Sequence, residues 1–144
     1  MSEEDDRYTS ILRSTLEELL GSSALKVLEY HLSKSYPETS PYKLLLREPQ
    51  LCYNMLTSIF GNEGSLIFLK LVLKHLITRS GATTIDPDTL ARSLIRGEKD
   101  AINTLIQILE KIKKFRDKAI FKIIETSQIL KEAERWKGMG IGGN

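Results

Sequence analysis

Hydrophobic positions along this chain recur at three- and four-residue spacing and almost nowhere alternate, which reads as helix after helix with no strand. Ile11, Leu12, Leu16, Leu19 and Leu20 form a first stripe, closed by Gly21 where a left-handed C-cap is favoured. Ser22 or Ser23 caps a second helix, with Leu25, Val27, Leu28 and Leu32 apolar, running to about Ser35. Two prolines and a Thr-Ser pair make Tyr36 to Pro41 a loop, and Tyr42 to Arg47 a short turn. Pro49 then opens a helix through Leu51, Met55, Leu56, Ile59 and Phe60, and Gly61 stops it. From Glu63 to Thr78 the chain is apolar nearly all round, which predicts a helix at the centre of the fold. Ser80 to Thr84 is a loop. Asp86, Pro87 and Asp88 read as N-cap, N1 and N2 of a short helix ending before Gly97.

The next 39 residues, Glu98 to Trp136, contain neither proline nor glycine. An unbroken helix there would run to roughly 58 Å. A compact domain of this size has a radius of gyration of only about 14–15 Å, so one small core cannot pack such a helix along its whole length. The apolar stripe runs Leu105, Ile108, Ile112, Phe115, Ala119, Ile123 and Leu130. Its mean spacing is nearer 3.6–3.7 than 3.5 residues, which favours antiparallel packing in a bundle over a regular zipper. The expected fold class is all-α: a compact helical bundle of five to six helices with a long C-terminal helix. Residues 1–97 would form the bundle core and 98–137 the long helix, packed on it or projecting from it. Residues 138–144 would be a flexible tail, with one domain in all.

A weak internal echo carries a resemblance. Leu20-Gly-Ser-Ser-Ala-Leu-Lys-Val-Leu-Glu-Tyr-His-Leu32 and Ile59-Phe-Gly-Asn-Glu-Gly-Ser-Leu-Ile-Phe-Leu-Lys-Leu-Val-Leu-Lys-His-Leu76 each open on a glycine junction and close on a His-Leu pair. Over about residues 16–78 the chain resembles a small all-helical archaeal domain described as an output-type domain of signalling proteins. The resemblance implies an archaeal helical module and brings no catalytic residues with it.

Composition adds limits. The chain has 144 residues, 41% hydrophobic and 28% charged, with a net charge of +2, as a globular domain has and a disordered one lacks. Leu, Ile, Lys and Glu dominate while Asn, Gln and Cys are few, a balance resembling thermophile usage. Lys70 and Lys74 interrupt the longest apolar runs, so no stretch is expected to reach the ~20 residues of a membrane span. The start, Met-Ser-Glu-Glu-Asp-Asp, is acidic where a signal peptide is basic, and Cys52 is the single cysteine. The expectation is a cytoplasmic protein.

Candidate chemistry is thin. His31, His75 and Cys52 are far apart in sequence and read as packing or capping residues rather than metal ligands, unless two helices bring them together. Glu17 and Glu18 read as a solvated face, Asp86 and Asp88 as a cap. Gly138, Gly140 and Gly143 match G-x-G-x-x-G literally, but that motif needs a strand before and a helix after it. No cofactor, metal or small-molecule substrate is expected, and the chain is not expected to be an enzyme.

Two surfaces of the long helix remain. Lys111, Lys114, Lys118 and Lys122 fall at spacings of three, four and four, hence on one side. Such a stripe suits the phosphates of nucleic acid without sequence readout. Phe115 and Phe121 are expected on or beside the core face, not interleaved for base stacking. Ile129, Leu130, Ala133 and Trp136 form a thinner apolar set ending in a tryptophan, a residue enriched at binding hot spots. The first functional expectation is an interaction or regulatory module that binds a protein partner or homo-oligomerises through this set. The second is a nucleic-acid-associated accessory protein held by the lysines.

Overall fold

A computed structural model describes residues 3–35 and 37–138. About 88% of the chain is helical, and among the described residues there are six helices and no strand. They are α1 (Glu3–Leu20), α2 (Ser22–Ser35), α3 (Pro41–Arg47), α4 (Pro49–Ser80), α5 (Pro87–Ile95) and α6 (Lys99–Gly138). The fold is an all-α bundle with a long C-terminal helix. By contact it divides into two units, residues 1–113 and 114–144.

Local chemistry sets the helix ends. Gly21 takes φ +85°, and its N–H donates to the Glu17 carbonyl at 2.8 Å, closing α1. Pro41, Pro49 and Pro87 each stand at the first turn of a helix, where no N–H is needed. The Asp86 carboxylate caps α5, accepting from the Thr89 N–H at 3.0 Å and its hydroxyl at 2.7 Å. Inside α4, Gly61 sits at φ 76°, ψ 175°, so the helix is kinked there. No atom lies within 4 Å of where a Cβ at Gly61 would stand, so an alanine there costs backbone strain, about 1 kcal/mol, and no clash.

The first unit holds the core. Ile11, Leu12, Leu25, Leu73, Leu76 and Leu94 are buried to within about one percent of their surface. From α6, Ala101, Leu105, Ile108, Leu109 and Ile112 join the same cluster. At about 1.5–3 kcal/mol per buried Leu or Ile, these side chains supply the main driving force for folding. Polar links tie the first three helices: Arg13 forks onto Glu29 at 3.1 and 3.2 Å, and the Tyr42 hydroxyl donates to the same carboxylate at 2.8 Å. Burial, then the bond to Glu29, pushes the Tyr42 phenol well above its ordinary range. The Tyr8 hydroxyl donates to Glu110 of α6. Arg79 donates to the buried Thr15 hydroxyl at 2.9 Å, which itself donates to the Ile11 carbonyl.

Two expectations about α4 need correction. Its second half is not buried all round. Leu69, Val72, Leu73, Leu76 and Ile77 face the core, but Ile67 is 59% and Leu71 51% exposed. These two are four residues apart, on the side that the neighbouring helices leave open. In addition, α4 taken across Gly61 is one helix long and apolar enough to cross a membrane by length and composition. An 18-residue stretch of it has a mean hydropathy of 1.3, and 28% of that stretch is buried.

Candidate interaction surface

The second unit is a helical segment, and every described side chain from Lys114 to Trp136 is exposed. Its sequence is nevertheless rich in large apolar groups: Phe115, Ile120, Phe121, Ile123, Ile124, Ile129, Leu130 and Trp136 are all about half or more exposed. At 100° per residue, Phe115, Ala119, Ile123, Leu130 and Ala133 fall within one 80° arc, and Ile129 and Trp136 widen it on one side. Ile129 is 65%, Leu130 60% and Trp136 59% exposed. The helix therefore brings Ile129, Leu130, Ala133 and Trp136 onto one continuous face. The expectation that Phe115 and Phe121 lie on or beside the core face is corrected, for both are more than half exposed. Their spacing continues the buried pattern of residues 101–112 without change, so periodicity alone could not show where burial stops.

The lysines overlap one edge of this face: at 100° per residue Lys118 shares the angular position of Trp136, and Lys122 falls between Ile129 and Ala133. Lys114, Lys118 and Lys122 are exposed in the second unit, and Lys111 is exposed in the first. Among the described residues none of the four has an acidic partner within 4.0 Å. The ion pairs found instead, such as Lys70–Asp88 at 2.7 Å and Arg92–Asp88 at 3.1 Å, lie elsewhere. A lysine without a carboxylate keeps its full charge available to an anionic surface.

A second apolar surface was missed by sequence reasoning. Ile59, Phe60, Ile67 and Leu71 of α4 are exposed, with the Phe60 and Phe68 rings 5.3 Å apart. Their hydrophobic neighbours on both sides in sequence made them read as core, and only the placement of surrounding helices separates the two. In the first unit, a cavity of about 50 Å³ lies among Leu12, Leu28, Leu45, Leu56 and Val72. It is apolar and too small for an organic ligand, since such sites measure roughly 300–1,000 Å³.

The remaining candidate groups are occupied by structure. His31 is exposed and packs edge-on against the Tyr30 ring. His75 Nε2 lies 2.7 Å from Glu18 Oε2, a bond that holds the Glu18 carboxyl below its ordinary value. Cys52 is buried, its thiol donating to the Pro41 carbonyl at 3.6 Å. Burial pushes that thiol up to about 12, so at neutral pH it is not a thiolate and not a nucleophile. Asp88 is held low by its bonds to Lys70 and Arg92. Among the described residues no three His, Cys, Asp or Glu side chains are grouped to hold a metal. The glycine-rich match at Gly138, Gly140 and Gly143 runs beyond the described residues.

No protein-family model, curated protein or solved structure matches the chain.

Proposed function

We propose that this chain is a non-enzymatic helical interaction module, cytoplasmic, that binds another protein or assembles into a complex through the apolar face of residues 114–136. The observation that carries this reading is the exposure of Ile129, Leu130 and Trp136 on one face of a helix whose first part is core. Large apolar residues exposed as a contiguous strip, rimmed by charge, mark interaction sites in soluble proteins. Trp136 is the single tryptophan and is the kind of anchor on which interface energy concentrates. The resemblance of residues 16–78 to an output-type domain agrees with a regulatory role for the module.

The test is Trp136→Ala. Capture from the native cell, quantified against the unmodified chain, should lose its specific partner, which an anchor of about 2 kcal/mol or more dictates. The melting temperature of the dilute chain should stay unchanged. A drop of several degrees with all binding intact would place Trp136 in the folding core and remove it from the surface.

The exposed lysines favour a second reading, an accessory protein contacting nucleic-acid phosphates through Lys111, Lys114, Lys118 and Lys122. Binding would then weaken with salt at about 0.9 in log–log slope per duplex phosphate neutralised. Replacing Lys114 and Lys118 by Glu would abolish it. Absence of any retardation of DNA or RNA at low salt ends this reading.

A further inference from the structure

We infer that the occupant of the 114–136 face is a second copy of this chain, paired antiparallel about a two-fold axis near residue 125. This rests on the interaction-module reading above and names its partner.

Charge carries the argument first. Between residues 114 and 123 the helix has four cations (Lys114, Arg116, Lys118, Lys122) against Asp117. Between residues 124 and 138 three anions (Glu125, Glu132, Glu134) are balanced by three cations (Lys131, Arg135, Lys137). A parallel pair stacks the cationic half on itself, whereas an antiparallel pair lays it on the half that holds the three glutamates and no net charge, twice over by symmetry. The edges of the face agree with this. In an antiparallel pair, side chains on one edge of a helix meet the same edge of the partner helix. Arg116 and Glu134 are 18 residues apart, five full turns, so they stand at the same angular position on one edge. With the axis near residue 125, Arg116 meets the partner's Glu134. On the other edge the same register sets Lys118 by the partner's Glu132, while Lys122 faces the partner's Gln128 and Glu125 meets its own copy at the axis.

Side-chain size agrees independently. The same register places Phe115 opposite the partner's Ala133, and Ala119 opposite the partner's Leu130, large against small at both ends of the seam. Area is sufficient. Phe115, Ile123, Ile129, Leu130 and Trp136 are each more than half exposed. At about 150–250 Å² for an aromatic side chain, and somewhat less for Leu or Ile, the five offer the roughly 500 Å² per copy of a small specific interface.

The experiment uses the full chain. Sedimentation up to about 100 μM, enough to populate a complex of micromolar affinity, should show a reversible species of twice the monomer mass. Leu130→Asp should leave a folded monomer, since this side chain is already exposed in one copy. Arg116→Glu or Glu134→Arg alone should weaken pairing roughly tenfold. Mixing these two variants, or combining both changes in one chain, should restore it. Orientation is read by a short-reach bismaleimide, with Cys52 buried and silent. Thr126→Cys should link to itself, and Ala119→Cys should link to Ala133→Cys but not to itself. Strong self-linking at Ala119→Cys means a parallel pair and overturns the inference. So does a chain that stays monomeric throughout, or a dimer indifferent to Leu130→Asp. If the chain is monomeric but Trp136-dependent capture of a different protein persists, only this inference falls. If that capture fails as well, the interaction-module reading falls with it.

Discussion

A chain ending at Gly97 is expected to be unfolded or aggregated, whereas one ending at Lys113 is expected to stay soluble and melt cooperatively near the temperature of the whole protein. The difference is the first part of α6. Leu105 and Leu109 are fully buried, Ile108 and Ile112 nearly so, and Ala101 adds a small contact. At about 1.5–3 kcal/mol for each large side chain, losing four of them removes roughly 6–12 kcal/mol. Native domains hold only about 5–15 kcal/mol in total. The same cut takes these side chains out of the one buried cluster that also holds Leu73, Leu76 and Leu94, and apolar surface opened in that cluster would drive aggregation. Cutting at Lys113 instead removes a segment whose described side chains, 114–136, are all exposed. Light scattering and thermal melting of the two fragments check this. A cooperatively folded 1–97 fragment would mean that α6 is not part of the core.

The second large effect separates two leucines of the same helix. Leu105→Ala should lower stability by about 2–5 kcal/mol, because the side chain has no exposed surface and its loss leaves a cavity. Leu130→Ala, at 60% exposure, should change the stability of the dilute chain by less than about 0.5 kcal/mol. Denaturant unfolding measures both. At protein concentrations where complexes form, the Leu130→Ala chain should lose the extra stability that binding confers, while Leu105→Ala stays destabilised at every concentration. Equal effects at the two positions would contradict the division of α6 into a buried and an exposed part.

What was legible in the sequence was chiefly what is local. Gly21 as a C-cap, Pro49 as a helix opener and Asp86 as an N-cap each depend on a few adjacent residues, and the structure places all three as their chemistry requires. The halt at Gly61 was legible too, because only a residue free to take positive φ turns the chain there. Which side of a helix is covered was not legible wherever apolar residues run all round it. Ile67 and Leu71 differ from Leu69 and Leu73 only in what stands beside them. On α6 the difficulty is the reverse, since an unchanged period carries buried Ile112 into exposed Phe115. The candidate face itself was half legible: Ile129, Leu130, Ala133 and Trp136 share a side by spacing alone, but their exposure belongs to the structure.

Amide hydrogen exchange tests most directly whether residues 114–136 are the docking surface. A helical segment held by its own backbone bonds alone opens readily, so in the dilute chain these amides should exchange fast while those around Leu73 and Leu105 stay protected. In the complex, self-paired or with a captured partner, protection should rise across residues 114–136 and remain unchanged in residues 3–113. Protection arising instead around Ile59, Phe60, Ile67 and Leu71, with residues 114–136 still exchanging freely, would contradict the assignment.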